Sequence, residues 1–574
     1  MTHRTILLGA LASIAVAAVG AAPAGAFDLQ REVDNYLKGQ ERQALYMSVQ
    51  GQLLLRKVSA ANQLAAFEMQ LTDTERLFAA DLCGNGMDGC AGDARLYDWQ
   101  AKGYGIVQPV LFTARSGATL SGHVWATKAG PERRPGVVIT NGSVQADEQM
   151  YWPFAQALAK AGYVVLTFDP QGQGQSDTPG AGPDALEGVP AQTDGRPFFD
   201  GAEDALNFFF SNKEHPYVPV NSCMTGTSHA DKQERRVKAG LDAAYNPFWQ
   251  LLDPSRVGVA GHSYGAAGVS YVGQADPRVK AIVAWDNIGA PDPAGRESGC
   301  VDAAARKPVP ITKPALGMSG DYGIDSPPYT SDPAPLSKST QSLAYTKAGV
   351  DTGEIIIRGG THLDFSFISN PAFFASLRGP DVIAWYTTAW MDKYVKGDPT
   401  ADARLLTARW LHDGQEAVLD PEKDGNAYSF YFPSRLNFHR ANGTPVVCDD
   451  LRKGCASLSE DDGYVGDYSY IATDTTPDGL GFATVPKTAG INATQQTRCV
   501  KSRSFVMTIP HASGVKVRRV RAYVKERLIG ESHGTRVRLK LPSSKGTHSV
   551  RLFVTARRKG HSFRTTILRR YRIC

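Results

Sequence analysis

From Gly105 to Gly397 short apolar runs alternate with helix-like segments, and this alternation limits the possible folds more than any other feature of the chain. The runs "YVVLTFD", "RVGVAGHS", "VKAIVAWD", "PALGMSGD" and "GEIIIRGGTH" are almost continuously apolar, whereas "YWPFAQALAKAG", "GAEDALNFFFSN" and "YGAAGVSYVGQ" carry helical spacing. A strand with no polar face must be covered on both sides, and parallel strands joined by helical crossovers meet that demand. The segment 105–397 therefore predicts an α/β domain, a mostly parallel sheet covered by helices. Three β-rich runs in "GIVQPVLFTARSGATLSGHVWATKAGPERRPGVVITNGS" open it, and "PDVIAWYTTAWMDKYVKG" closes it as an amphipathic helix stopping at Gly397 ahead of Pro399. More than 80 residues separate the strand ending at Asp169 from the one starting at Arg256. A simple crossover is far shorter. The excursion, at about 178–253, reads either as a cap over a binding site or as a structural segment pinned by Cys223.

The flanks differ in kind. Residues 1–26 run from a basic start through "ILLGALASIAVAAVG" to "APAGA", the pattern of a secretory signal cleaved after Ala26. No later stretch approaches about 18 uninterrupted apolar residues, so no transmembrane segment is expected in the mature chain. Residues 27–104 have apolar positions at three-to-four spacing and predict a helical N-terminal extension. Residues 398–498 mix β-like runs such as "NAYSFYFP" with Gly-, Asp- and Thr-rich loops. From Cys499 to Cys574 strand-like runs recur with apolar and basic residues often alternating, which predicts a small C-terminal β-sandwich with a basic exposed face.

Charge divides the chain in the same way. Residues 499–574 hold 20 Lys and Arg against Glu526 and Glu531, a net +18; since the whole chain carries +5, the first 498 residues carry −13. A basic module of this density favours anionic surfaces such as cell-wall polymers or acidic polysaccharides. It contains no DNA- or RNA-binding signature, and nucleic acid is not an expected partner. With 42% apolar and 21% charged residues, the composition excludes disordered and fibrous classes.

The eight cysteines suit an oxidising compartment. Cys83 and Cys90 bracket one short loop and Cys448 and Cys455 another, so local bridges are expected there. Cys499 and Cys574 bound the basic segment, which leaves Cys223 and Cys300 as a fourth pair by elimination. No C-x-x-C or H-E-x-x-H spacing is present, and no motif calls for a metal or cofactor.

Chemistry concentrates at "RVGVAGHSYGAAGVSYVG". The pentapeptide Gly261-His262-Ser263-Tyr264-Gly265 falls between a buried strand and a helix start dense in small residues, the context in which G-x-S-x-G presents a nucleophilic serine. A serine hydroxyl needs a histidine base, and the base needs a carboxylate to fix its tautomer. His362, in the loop after "EIIIRGG", is the expected base; His412 and His439 fall beyond the α/β pattern. Asp321 is the expected acid because the penultimate strand lies nearest the histidine loop, with Asp286 and Asp325 as alternatives.

Together "GVVITNGS", "YVVLTFDPQGQGQSD", "VAGHSYGAAG", "ALGMSGD" and "GGTHLDFSF" resemble the ordered signatures of the α/β-hydrolase superfamily over about residues 105–397. The nearest likeness is to dienelactone hydrolases, platelet-activating-factor acetylhydrolases and secreted lipases and cutinases. The resemblance implies the α/β-hydrolase fold, a triad of Ser263, Asp321 and His362 acting through an acyl-enzyme, and an oxyanion hole from the N–H groups of Tyr264 and Ser143. Two positions depart from the family pattern: Asn141-Gly142 where many relatives have His-Gly, and Gln171 where relatives commonly have Arg. The basic tail resembles the Arg-rich, Cys-bounded β modules of secreted actinobacterial proteins. These features point to a secreted serine hydrolase of carboxylic esters, small or lipid. The alternatives are a serine peptidase of the same fold and a non-catalytic surface-binding protein.

Overall fold

A computed structural model describes residues 64, 68, 71–77, 99, 105–143, 147–188, 195–292, 307–323, 338–366, 378–406, 409–411, 428–429, 431–451, 465–467, 498–509, 515–525, 527–544, 546–558 and 561–573. The signal sequence, most of the predicted helical extension, Asp325, His412 and Cys83, Cys90, Cys300, Cys455 and Cys574 lie outside the described residues.

The centre is a mixed ten-stranded sheet. Its strands are β1 (Gly105–Thr113), β2 (Thr119–Thr127), β3 (Arg134–Thr140), β4 (Val164–Phe168), β5 (Leu252–His262), β6 (Val279–Trp285), β7 (Ala315–Gly320) and β8 (Thr352–Ile357). A short parallel pair, β9 (Arg409–Leu411) with β12 (Val465–Asp467), stands apart from it, while β10 (Arg435–His439) and β11 (Pro445–Cys448) complete it. The spatial order is β1-β2-β4-β3-β5-β6-β7-β8-β10-β11. The run from β4 to β8 is parallel, and the pairs at both ends are antiparallel.

The expected α/β architecture is present, and its apolar strands are the parallel ones. Every residue of β3, β4, β7 and β8 is buried. On one face α1 (Trp152–Lys160) and α6 (Arg378–Met391) cover a cluster built on Phe154, Trp285, Tyr386 and Trp390. On the other, α2 (Arg196–Phe210), α4 (Tyr264–Ala275) and α5 (Ser342–Ala348) cover Phe199, Phe209, Leu252, Val269 and Tyr345. Burying a large side chain of this kind contributes about 1.5–3 kcal/mol. Small residues in α4 permit a close approach to α2: a Cβ on Gly268 would stand 2.5 Å from the Phe198 carbonyl oxygen.

Two sequence expectations are refined. The excursion after β4 supplies the crossover helix α2, packed on β3 and α4, and then α3 (Ala230–Lys238), which packs on β1 at the sheet edge. Arg236 pins α3 through Asp242 at 2.8 Å and Asp73 at 2.6 Å. The sheet also continues past Gly397, because β10 pairs with β8 and β11 with β10. α6 passes into a π-helical turn over Asp392–Lys396 and stops at Gly397, whose φ of 74° a glycine adopts at little cost. A further short helix, α7 (Ala401–Leu405), follows. No helix of the described residues is long and apolar enough to cross a membrane.

The basic segment forms two sheets on a separate apolar core. One has the order β13 (Arg498–Val500), β19 (His561–Ile573), β18 (Thr547–Arg558), β15 (Val515–Val524), β16 (Arg527–Ser532). The other pairs β14 (Ser504–Thr508) with β17 (Arg536–Lys540), and both contribute to a cluster around Val520, Val537, Leu539 and Leu552. In β17 Val537 and Leu539 point inward, leaving Arg536, Arg538 and Lys540 exposed. Cys223 and Cys448 are both disulfide-bonded.

Candidate active site

β5 and α4 meet at Ser263. Its backbone lies at φ 57° and ψ −120°, a left-handed conformation that costs a residue with a Cβ about 1–3 kcal/mol and turns the chain sharply from strand to helix. The flanking glycines make that turn sterically possible: a Cβ on Gly261 would meet the Gly265 carbonyl, and one on Gly265 would meet the carbonyls of Thr140 and Asn141. The Ser263 N–H donates to the Trp285 carbonyl at 3.0 Å and its carbonyl accepts from the Ala267 N–H at 3.1 Å. Ser263 is thus held, half-buried, at the carboxyl end of β5 beside the ends of β3 and β6.

His362 opens the turn after β8. Thr361 caps this turn by accepting from the Leu363 N–H at 3.2 Å, and the Asp364 carboxylate accepts the Thr361 N–H at 2.6 Å. The Nδ1 of His362 hydrogen-bonds to Oδ2 of Asp286, the residue that follows β6. Asp321, the acid expected from the sequence, does something else. Its carboxylate accepts the Gly359 N–H at 2.8 Å and its own N–H donates to the Ile357 carbonyl at 3.2 Å, so it supports the loop that carries His362. Both N–H groups still reach a neighbouring strand, Asp286 donating to the Met318 carbonyl at 2.8 Å and Asp321 to that of Ile357, but Asp286 has a φ of 41°.

Asp286 is enclosed and doubly compensated. Its side chain has no exposed surface, and the Lys338 ammonium lies 2.6 Å from Oδ1 and 2.7 Å from Oδ2. Burial pushes the carboxyl upward, but His362 and Lys338 outweigh it and hold the group at about 2. Asp286 is therefore an anion at any working pH. Because a carboxylate only accepts, His362 donates through Nδ1–H, which leaves Nε2 as the basic nitrogen.

His262, beside Ser263 in the chain, bridges three loops. Its Nε2 lies 3.1 Å from the His362 carbonyl oxygen and its Nδ1 lies 2.7 Å from the Tyr151 hydroxyl. The imidazole rings of His262 and His362 have centroids 4.5 Å apart. Burial, and then the neighbouring His362, hold His262 well below the usual histidine range, so it is neutral. A carbonyl can only accept; the Nε2 of His262 therefore carries the proton and its Nδ1 accepts from Tyr151. Tyr151 Oη in turn accepts the Gly142 N–H at 3.0 Å.

The loop after β3 is tied down by Asn141, whose amide donates to Asp169 at 2.9 Å. Gly142 lies against the turn, since a Cβ there would stand 3.0 Å from the Ser263 Cβ. Of the expected oxyanion donors, Ser143 follows directly in this loop and is half-buried. Tyr264 follows Ser263 directly as the first residue of α4 and is half-buried. Gln171 is structural: it donates to the Thr178 and Glu187 carbonyls at 2.9 and 2.6 Å and accepts from Ser116 at 2.7 Å. His439 is outside the site, paired with Asp351 at 2.8 Å. Among the described residues no group of three or more His, Cys, Asp or Glu is placed to hold a metal ion.

Sequence reasoning missed Lys338, Tyr151 and His262. Lys338 had no signal, because it reaches the site only through tertiary folding. His262 lay in plain view inside the pentapeptide, but nothing local marks it as a bridge. Comparison of the chain with protein-family models and with curated proteins returns no match.

Proposed function

We propose that this protein is a serine hydrolase of the α/β-hydrolase type that cleaves carboxylic esters through an acyl-enzyme on Ser263. The observation that carries the reading is the Asp286–His362 pair, whose imidazole lies 4.5 Å from that of His262, the residue that precedes a serine held at positive φ on a strand-to-helix turn. In the first step His362 Nε2 takes the Ser263 hydroxyl proton as Oγ attacks the ester carbonyl. The resulting oxyanion is held by the N–H groups of Ser143 and Tyr264. Collapse expels the alcohol, which takes the proton back from His362 and leaves an acyl-serine. Water then repeats the sequence, releasing the acid and restoring the hydroxyl. Asp286 remains ionised throughout and stabilises the imidazolium that forms in each half-reaction.

The disulfide state of Cys223 and Cys448 supports a secreted protein, since such bonds persist in oxidising compartments. A second reading concerns the basic unit: the exposed Arg536, Arg538 and Lys540 on β17 support attachment to an anionic wall polymer or polysaccharide.

The test is fluorophosphonate labelling of the mature protein and of Ser263→Ala, with turnover of p-nitrophenyl acetate, butyrate and palmitate. Labelling and turnover that both disappear in the variant support the reading, and the chain-length profile assigns the substrate class. Labelling without ester turnover favours a peptidase. Folded protein that neither labels nor turns over overturns the enzymatic reading.

A further inference from the structure

The loop after β3, the turn at Ser263 and the turn at His362 come from three distant parts of the sequence, and catalysis needs them in one geometry. One chain of hydrogen bonds joins them. The Gly142 N–H donates to Tyr151 Oη at 3.0 Å, the Tyr151 hydroxyl lies 2.7 Å from His262 Nδ1, and His262 Nε2 lies 3.1 Å from the His362 carbonyl oxygen. The two linking side chains are enclosed: Tyr151 is 0% exposed and His262 2%. Tyr151 Oη thus accepts from one loop and donates to another, both bonds lying beneath the surface.

We propose that Tyr151 and His262 are positioning residues that lock the three loops in register and select which amide of the β3 loop faces the substrate. With the Gly142 N–H engaged by Tyr151, the next amide, that of Ser143, is left to meet the oxyanion. The inference rests on the function proposed above. It differs from simple packing in direction. A hydroxyl and an imidazole each serve once as donor and once as acceptor, so the chain has a single polarity, fixed at its far end by a carbonyl that can only accept. The neutral state of His262 sustains that polarity, since a second ring proton would leave the Tyr151 hydroxyl facing a donor.

The experiment uses the full chain and the variants Tyr151→Phe, His262→Leu, His262→Gln and the double variant Tyr151→Phe/His262→Leu. With p-nitrophenyl butyrate, Tyr151→Phe and His262→Leu each lower kcat about 10- to 100-fold with KM within about twofold, the signature of misaligned groups that act only in the transition state. Glutamine keeps one donor and one acceptor, so His262→Gln recovers most of the loss. The double variant is no worse than the poorer single, because either substitution breaks the same chain. Unchanged kcat in both single variants, or losses that multiply in the double, would overturn the proposal. A readout independent of turnover is amide hydrogen exchange in peptides spanning 138–152 and 358–366. Exchange rising about tenfold or more in both single variants supports the lock, whatever the enzyme's substrate. Unaltered exchange overturns it. A wild-type protein that neither labels nor hydrolyses esters yet shows the exchange effect overturns the proposed function and leaves the lock standing.

Discussion

Asp286→Asn and Asp321→Asn, compared side by side, separate the two aspartates by mechanism. In the native site His362 Nδ1 and the Lys338 ammonium share the Asp286 carboxylate, with Lys338 at 2.6 and 2.7 Å from its two oxygens. An asparagine there has one acceptor and one donor. Lys338 has no acceptor to offer, so it claims the amide oxygen and turns the NH₂ toward His362 Nδ1. The imidazole must then carry its proton on Nε2, where it cannot accept from Ser263. Loss of tautomer control together with the anion costs about 10³- to 10⁴-fold in kcat, about 4–5.5 kcal/mol of barrier at 1.36 kcal/mol per tenfold. Lys338 keeps a side-chain exposure of 20%, so its lost partner is partly replaced by water and the variant folds. Asp321→Asn keeps an oxygen for the Gly359 N–H, and its kcat falls less than about tenfold. The assay is kcat on p-nitrophenyl butyrate at pH 8, with the second-order rate of fluorophosphonate labelling as a check free of deacylation. Asp286→Asn retaining a tenth or more of wild-type activity, or Asp321→Asn falling as far as Asp286→Asn, would refute the argument.

Three other outcomes follow from the geometry. Gly265→Ala drives a Cβ into the carbonyls of Thr140 and Asn141, so thermal melting should show a loss of about 3 kcal/mol or more, and a melting temperature equal to wild type would contradict the packing described here. Glu354 is enclosed on β8; burial raises its carboxyl from 4.5 to about 8, opposed by the Ser319 hydroxyl and reinforced by Asp286. The folded state therefore keeps a proton that the unfolded chain gives up, and this stabilisation, complete below 4.5, drains away as the pH rises to about 8 and is flat above it. Denaturant titrations across that window should show the slope in wild type and its flattening in Glu354→Gln; equal slopes would contradict the assignment. Reversing Arg536, Arg538 and Lys540 together to glutamate should lower the salt concentration that releases the protein from a sulfated polysaccharide matrix. Unchanged release would remove β17 from the anion-binding reading.

The central strands were legible because each is buried on both faces, which forces an unbroken apolar run such as "YVVLTFD" or "GEIIIRG". Ser263 and His362 were legible for a related reason: each follows such a run, and a parallel strand delivers its next residues to the carboxyl edge of the sheet. The acid was not. Asp286 and Asp321 end neighbouring strands whose partners are Trp285 and Met318, so strand position ranks them equally. What distinguishes them is the positive φ at Asp286, a conformational choice made after the sheet has assembled. Lys338 and the β8–β10 pairing share this origin. Both are contacts between segments far apart in sequence, and neither segment carries a local pattern that names its partner.

The attachment of β10 to β8 determines where this chain can be cut. A protein engineer guided by sequence would trim at Gly397, after the last strong helix. That cut removes Leu436 and Phe438, 1% and 0% exposed, from their seat beside β8 and bares the backbone of the very strand that leads into the His362 turn. A bare, apolar edge strand invites pairing with a second copy, so the shortened protein would aggregate before its activity could be measured. The smallest fragment worth expressing runs past Leu451, whose N–H donates to the Ser434 carbonyl at 2.9 Å and fastens the end of β11 back to the start of β10, as far as Cys455, the partner expected for the disulfide-bonded Cys448.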